Sequence, residues 1–302
     1  MNRSTYPLIL SIALTVLFLL AAGCASTPGY GIPTPTPTTP TLITVATTSP
    51  TTVPTSTLTV MTASSNKGTI LVDKAGMTLY YFGNDVPGSG TSACTSSSCA
   101  ALWPPFSADS VVVNSPLAAT DFQTITRSDG MKQTTYRGWP LYYYQSDHAA
   151  GDVNGDGILS IWYVMMPAYS VVIMKNSNVG TYLADGQGKT LYVLRNDMTG
   201  MSTCTGSCIQ TWPAFLSSNV IVPSGLVSAD FTVFQRTDAT SQSTHKGMPL
   251  YYYSGDGKSG DTRGQGIGGV WFVAPLGTLS PTTVTTPPTT TQSSGGGGGY
   301  GY

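Results

Sequence analysis

The sequence predicts an all-β protein with two tandem repeat domains of about 100 residues each, a usual domain size, flanked by disordered segments rich in threonine and proline. Three observations support this fold class. The chain repeats itself internally; glycine, threonine, tyrosine and proline dominate its composition; and short β-branched or aromatic runs alternate with turns that carry glycine or aspartate. This composition is typical of strands at an extracellular surface and not of a helical enzyme core.

The chain begins with an export signal. Arg3 precedes an apolar run over residues 8–22, which is shorter than the about 20 residues that a membrane-spanning helix needs. The segment that ends at Cys24 resembles the lipobox of bacterial lipoproteins, although Ala21 replaces the usual leucine. We predict a signal peptide over residues 1–23, lipidation of Cys24, and an extracytoplasmic lipoprotein anchored in the membrane at the cell surface. A soluble secreted protein or an uncleaved anchor are the alternatives.

Two polar tracts flank the repeats. Residues 24–65 follow the lipidation site and are rich in threonine, proline and serine, and residues 277–302 form a similar tail that ends in glycines. Proline keeps such tracts extended, and their few large apolar residues cannot form a core. We predict a stalk before the repeats, with hydroxyl groups open to glycosylation, and a disordered tail after them.

The internal repeat defines the domains. The predicted first domain, residues 66–168, matches the predicted second domain, residues 178–276, segment by segment. The matches include residues 78–80 with 190–192, 127–129 with 236–238, 138–144 with 247–253, and Trp162 with Trp271. A smaller echo within each copy, Leu-Tyr followed after four intervening residues by Asp, defines four half-units. They could form two small sandwich- or barrel-like domains or, jointly, a propeller-like pseudo-symmetric body.

Local patterns predict the elements of each copy. The predicted strands of the first copy cover residues 69–72, 78–82, 122–126 and 161–164. Turn-forming residues 73–76 and 185–188 are expected to fold the flanking strands of each copy into hairpins. A helical turn is expected near residues 99–102, ended by Trp103 and Pro104.

The cysteines predict two local disulfides. Setting Cys24 aside for the lipid leaves an even set, Cys94 with Cys99 and Cys204 with Cys208. Export permits disulfides, and loops this short gain roughly 2 kcal/mol each in the chain-entropy model. A four-cysteine zinc site is the alternative; the wide spacing and the separate domains disfavour it.

The chain resembles a known family through one motif, Tyr-x-(Phe/Trp/Tyr)-x-x-Asp. Three half-units match it in full and the fourth carries leucine at the aromatic position: Tyr80, Phe82, Asp85; Tyr142, Tyr144, Asp147; Tyr251, Tyr253, Asp256; and Tyr192, Leu194, Asp197. The body, residues 66–276, is thereby similar to the secreted-repeat lipoproteins named for this motif. The resemblance implies export, lipidation and repetition, and it implies no assigned activity.

The motif residues allow a catalytic or a structural interpretation. A carboxylate beside a phenol can perform acid and base chemistry. Strand alternation, however, places Tyr80 and Phe82 on one face, with Asp85 in the following turn, where it can accept hydrogen bonds from backbone N–H groups. Because active sites are seldom needed in every repeat, we predict a fold-determining role and no catalytic residue.

The aromatic residues suggest a sugar-binding platform or a packed core. The candidates are the tyrosines 142–144 and 251–253 and the tryptophans Trp103, Trp139, Trp162, Trp212 and Trp271. Aromatic faces bury well against sugar rings. Trp139 is the better candidate for a ligand platform, because Met248 replaces it in the second copy.

One loop resembles a calcium site. Asp152, Asn154 and Asp156 place oxygen ligands at alternate positions before a glycine, as in an EF-hand loop. Tyr163 stands where such a loop has its bidentate acid, and the second copy has Arg263 at a ligand position. We interpret the loop as a turn, with calcium as a weak cofactor candidate.

Several function classes lack support in the sequence. Charged residues make up 9% of the chain and its formal net charge is -1, so no basic patch for nucleic acid is expected. The two histidines, His148 and His245, occupy different repeat positions and predict no catalytic metal cluster. Hydrolase and nucleotide-binding motifs are missing from the sequence.

These observations predict a non-enzymatic surface lipoprotein that acts as a binding or envelope-structural module. Its expected partners are the membrane, through the lipid, and cell-envelope glycans or surface proteins. Two alternatives remain open. One is a redox or metal-handling protein with soft methionine ligands, namely Met165, Met166, Met198 and Met201. The other is an enzyme that acts on envelope polymers through a motif aspartate.

Overall fold

The computed structural model describes residues 59–278. Within this range the chain forms fourteen β-strands and two short α-helices, so the predicted all-β class is confirmed. The predicted signal peptide, Cys24, the stalk up to residue 58 and the tail from residue 279 lie outside the described residues.

Both copies contain the same elements in the same order. The first copy comprises β1 (Val60–Ser65), β2 (Gly68–Asp73), β3 (Tyr80–Phe82), α1 (Ser97–Leu102), β4 (Phe122–Thr126), β5 (Lys132–Tyr136), β6 (Trp139–Pro140) and β7 (Trp162–Val164). The second comprises β8 (Val171–Asn176), β9 (Gly180–Asp185), β10 (Tyr192–Leu194), α2 (Ser207–Thr211), β11 (Phe231–Gln235), β12 (Ser241–His245), β13 (Met248–Pro249) and β14 (Trp271–Val273).

Each copy contains three small antiparallel sheets. In the first copy they are the β1–β2 hairpin, the β3–β7 pair and the β4–β5–β6 sheet, and the second copy repeats them. The β3–β7 pair joins the third strand of the copy to its last strand, with Phe82 opposite Trp162. None of these sheets in the described range closes into a barrel. Because pairs of such short strands are marginal alone, packing between the sheets must stabilise the fold.

The first strand of each copy lies before the predicted domain boundary. β1 falls within the predicted stalk, and β8 falls in the predicted linker before residue 178. Val60 and Val171 at their starts are both 0% exposed. The predicted boundaries at residues 66 and 178 are therefore wrong. Thr62, Ser64 and Ser65 of β1 resemble the composition of the stalk, and the pairing of β1 with β2 defines this segment as a strand.

The two copies share one core. A continuous cluster of buried apolar side chains includes Leu71 and Leu79 from the first copy and Val172 and Leu183 from the second. Backbone contacts also join the copies, as where the Lys175 amide donates to the Gly83 carbonyl at 2.8 Å. The two repeats therefore pack as one body.

Turn chemistry shapes the first hairpin as predicted. Asp73 Oδ1 accepts hydrogen bonds from the amides of Ala75 and Met77 at 2.8 and 2.9 Å. Gly76 takes φ of +82°, a conformation in which a β-carbon is strained. The bridge between Val72 and Thr78 then closes the turn.

The two predicted disulfides are confirmed. Cys94 and Cys99 are joined with an S–S distance of 1.96 Å, and Cys204 and Cys208 with one of 1.97 Å. The four-cysteine zinc site is therefore wrong. The predicted helical turn is α1, whose first turn is capped by the Ser96 hydroxyl.

Candidate functional site

The motif tyrosines and aspartates link the half-units of each copy reciprocally. Tyr80 Oη donates to Asp147 Oδ2 at 2.6 Å, while Tyr142 Oη donates to Asp85 Oδ2 at 2.7 Å. The second copy repeats the exchange, Tyr192 with Asp256 at 2.7 Å and Tyr251 with Asp197 at 2.5 Å. Each half-unit thus supplies a phenol to its neighbour and a carboxylate in return.

The second oxygen of each aspartate holds a loop. Asp85 Oδ1 accepts from the Ala93 amide at 2.6 Å, and Asp147 Oδ1 accepts from the Asn154 amide at 3.0 Å. The equivalent bonds in the second copy run from Thr203 to Asp197 at 2.7 Å and from Arg263 to Asp256 at 3.0 Å. Each carboxylate therefore joins a strand of one half-unit to a loop, and its hydrogen-bonding capacity is used within the fold.

Burial dominates the electrostatics of these pairs. It raises the pKa of Asp85 to about 7, although the Ala93 amide, Tyr142 and Arg127 act in the opposite direction. Burial followed by hydrogen bonding to Asp147 raises the pKa of Tyr80 well above its ordinary value. The phenols therefore remain protonated donors. Because Asp85 is only 1% exposed, its proton has no direct route to an external substrate.

Aromatic stacking fills the space beside the pairs. Trp103 and Trp162 stack with ring centroids 3.9 Å apart and an interplanar angle of 1°. Phe82 also stacks on Trp162, with ring centroids 4.0 Å apart. The ring centroid of Tyr144 lies 4.5 Å from that of Trp103. The second copy keeps the central stack of two tryptophans at 3.8 Å, with Leu194 in place of Phe82. The aromatic position of the motif is thus a packing position.

A cleft of about 610 Å³ opens between the two copies. One wall belongs to the first copy and the other to the segment before β11 in the second copy. The lining is largely apolar: Gly68, Pro116, Val164, Met166, Pro167, Ala168, Val220, Ile221, Val222, Pro223 and Leu226, with Thr69, Ser224, Ser228, Lys67 and Asp156 as the polar members. A space of this size and character suits a small organic molecule.

An ion pair between a buried aspartate and a partly exposed lysine lies at the cleft. The side chain of Asp156 is 0% exposed and that of Lys67 is 33% exposed, with Lys67 Nζ 3.0 Å from Asp156 Oδ2. Asp156 Oδ1 accepts from the Val164 amide at 3.1 Å. Asp156 Oδ2 accepts no hydrogen bond of regular geometry from the described residues, so Lys67 serves it as a charge neighbour.

The geometry of the half-units agrees with a comparison against protein-family models. The model Lipoprotein_15, a secreted repeat of unknown function, matches residues 61–107, 123–166, 174–215 and 232–275. These four matches together cover more than half of the chain. The chain belongs to this family. Comparisons with curated proteins and with solved structures found no match.

The four secreted repeats coincide with the predicted half-units, so the resemblance inferred from the Tyr-x-(Phe/Trp/Tyr)-x-x-Asp motif is confirmed. The reciprocal Tyr–Asp bonds therefore join the first secreted repeat to the second and the third to the fourth. Among the described residues, no helix is long and apolar enough to cross a membrane.

The interpretation of Trp139 as a ligand platform is wrong. Trp139 is 1% exposed, packs on Tyr81 with ring centroids 5.1 Å apart, and donates from Nε1 to the Gly186 carbonyl at 3.0 Å. Gly186 belongs to the second copy, so Trp139 links the two copies. Met248, the equivalent residue of the second copy, has no side-chain N–H that could donate such a bond. The other four tryptophans of the secreted repeats, Trp103, Trp162, Trp212 and Trp271, are also buried.

The calcium-like loop gives each candidate ligand a separate role. Asp152 Oδ2 accepts from the amides of His148 and Ala149 at 2.8 and 2.9 Å, and Asn154 Nδ2 donates to the Ser146 carbonyl at 3.2 Å. These contacts form a turn. Within residues 59–278, no group of three or more histidine, cysteine, aspartate or glutamate side chains is placed to hold a metal.

Sequence reasoning missed the cleft and its ion pair. Comparing the copies offered one signal, because Lys67 and Asp156 align with the uncharged Val179 and Gln265. Gln265 Oε1 accepts from the Val273 amide at 2.8 Å, as Asp156 Oδ1 accepts from that of Val164. The fold therefore needs an oxygen at this position but not a charge.

Proposed function

We propose that this chain is a non-enzymatic binding module, lipidated at Cys24 and displayed at the cell surface, which holds a small molecule in the cleft between its two copies. The observation that carries the proposal is the cleft itself. Its volume of about 610 Å³ falls in the range of roughly 300–1,000 Å³ that is usual for small-molecule sites. Its apolar lining and few polar groups also fit such a site.

The state of the motif residues supports a non-enzymatic role. Tyr80 and Tyr142 are both 0% exposed, and the aspartates that they contact spend both oxygens on internal bonds. Asp85, Asp147 and Asp197 are buried, whereas an enzyme that acts on envelope polymers would need an accessible carboxylate. Asp256 is partly exposed, but it also spends both oxygens on internal bonds, to Tyr192 and to the Arg263 amide. The burial of the tryptophans likewise argues against flat binding of glycans on an aromatic platform.

The proposed location is supported by the disulfides and by the family. Two disulfides form in each molecule, and such bonds persist in oxidising compartments outside the cytoplasm. Membership of a secreted-repeat family agrees with export. Lipidation is tested by mass spectrometry of the N-terminal peptide from the membrane fraction. We expect an acylated Cys24 at its start, and an unmodified peptide beginning elsewhere would refute the anchor.

Binding is tested with the full chain purified in detergent from membranes and examined by native mass spectrometry. Ala168 lies at the exposed rim of the cleft, so Ala168→Trp should fill it without disturbing the core. Ala149 is exposed and lies outside the cleft lining, so Ala149→Trp serves as the control. We expect a bound small molecule in the natural protein and in the control, and its loss in Ala168→Trp. Identical spectra from all three proteins would contradict the proposal.

A further inference from the structure

We propose that the ligand of the cleft is an organic cation, a primary amine on an apolar body, whose ammonium group replaces Lys67 as the partner of Asp156. This inference rests on the proposed function, because it takes the cleft to be a binding site. It identifies the chemical class of the ligand from the charge and shape of that site.

The charge of the cleft favours a cation. Among the described residues that line it, Lys67 and Asp156 carry the charges. Asp156 is fully buried and its Oδ1 accepts a hydrogen bond from the Val164 amide, which anchors the carboxylate. Lys67 lies on the turn between β1 and β2, has a flexible stem and is one third exposed. Once Lys67 moves its ammonium into water, the fixed charge that remains is the carboxylate.

The second copy shows that this charge is not required for folding. Gln265 makes the same bond to the backbone with a neutral oxygen, and Val179 stands where Lys67 does. A buried ion pair seldom stabilises a protein more than neutral residues of similar size do. A fully buried carboxylate that the fold does not need, placed at an apolar cleft, is best explained by recognition of a ligand.

The side chains that form the cleft walls suit the hydrocarbon part of such an amine. Val164, Met166, Ile221 and Leu226 approach from both copies, and a methionine side chain adapts readily to different ligand shapes. A ligand that places its amine on Asp156 would extend its hydrocarbon part along these side chains. A charge-assisted hydrogen bond contributes more than a neutral one, so the amine should be preferred over an alcohol of equal shape.

The test is isothermal titration calorimetry of the full chain in lipid nanodiscs, with empty nanodiscs as the blank. The probes are cyclohexylmethylamine, cyclohexylmethanol and cyclohexanecarboxylate, which share one ring and differ in charge. We expect the amine to bind at least about tenfold more tightly than the alcohol, and the carboxylate to bind most weakly. Asp156→Gln reproduces the second copy, so it should fold and should bind the amine no better than the alcohol. Gln265→Asn, a control in the second copy, should leave the preference unchanged.

Two results would overturn the inference and leave the proposed function intact. One is equal binding of amine and alcohol with no effect of Asp156→Gln. The other is no binding of any probe while Ala168→Trp still removes the bound molecule in native mass spectrometry. If that molecule is missing as well, both the inference and the proposed function fail.

A second measurement uses thermal unfolding of Lys67→Val. This variant leaves the Asp156 carboxylate buried without a charge partner, which is costly, so its midpoint temperature should fall. The amine should then raise the midpoint more than it does in the natural protein, and the alcohol should not. The double variant Lys67→Val with Asp156→Gln copies the second repeat and should regain stability without amine preference. An unchanged midpoint in Lys67→Val, or equal shifts by amine and alcohol, would contradict the inference.

Discussion

At the scale of single residues, buried ionisable groups determine how this protein responds to pH. Asp85 and His245 are both buried, and they respond in opposite directions. Burial raises the pKa of the Asp85 carboxyl to about 7 and lowers the pKa of the His245 imidazole to about 4. In each case the neutral form is favoured, because water no longer stabilises the charge.

Ionisation of the Asp85 carboxyl should destabilise the fold as the pH rises. Its folded pKa of about 7 lies above the ordinary value of 3.8, so its contribution is fully present below about pH 4 and is lost as the pH rises through 7. The loss should be on the order of 4 kcal/mol. We expect Asp85→Asn to flatten the pH dependence of the free energy of unfolding between pH 4 and pH 7, measured in urea. Equal slopes for both proteins would contradict this.

His245 should weaken the fold as the pH falls. The pKa of its imidazole in the folded protein is about 4, below the ordinary 6.5. Its contribution to stability is therefore present above pH 6.5 and is lost as the pH falls from 6.5 to 4, by roughly 3 kcal/mol. Tyr136 occupies the equivalent place in the first copy. We therefore expect His245→Tyr to remove the acid-side loss in urea unfolding at pH 4 to 6.5. Lys258→Gln, which removes an exposed lysine from another loop, serves as a control that retains the loss.

At the scale of elements, the loop before the last strand differs between the copies. Leu159 and Gly268 occupy equivalent positions, with φ of +52° and +60°. A glycine adopts this left-handed conformation freely, whereas a leucine is strained there. Leu159 is also 78% exposed, so it gains little from packing.

Exchanging these two residues should change stability in opposite directions. Leu159→Gly removes the strain and should raise the free energy of unfolding by about 0.5 kcal/mol, since the added flexibility of the unfolded chain offsets part of the gain. Gly268→Leu introduces the strain and should lower it by about 1 kcal/mol. Urea unfolding at neutral pH measures both. A change of the same sign in the two variants would show that backbone strain does not decide these positions.

At the scale of the whole molecule, the shared core makes the two copies one cooperative body. Buried side chains of both copies lie in a single cluster, and Trp139 hydrogen-bonds across to Gly186. Two domains with separate cores would unfold independently. A common core couples their unfolding, because neither copy can expose its half without exposing the other.

We predict one unfolding transition, and Trp139→Phe should lower its midpoint without splitting it. Loss of the hydrogen bond and of part of the ring should cost about 2 kcal/mol. Calorimetry and near-ultraviolet circular dichroism measure the number of unfolding transitions and their midpoint temperatures. Met248→Leu in the second copy is the matched control and should change the midpoint only slightly. Two separate transitions in the natural protein would refute a common core.

Many elements of the fold could be predicted because the sequence patterns that indicate them lie within short stretches of chain. The β4 strand and the turn at residues 73–76 follow from β-branched runs and turn residues, and each disulfide joins cysteines four or five positions apart. The β1 strand escaped prediction because its composition resembles the stalk. Its identity depends on pairing with β2.

The sequence by itself determined the all-β class, the fourfold repeat, the disulfides and the family, since periodicity and spacing lie within short stretches of chain. Tertiary structure alone decided the reciprocal bonds between half-units, the burial of Trp139 and the cleft with its ion pair. Tyr80 and Asp147 are 67 positions apart, and the walls of the cleft come from different copies. Contacts over such separations depend on how the sheets pack, and no local pattern of residues records that packing.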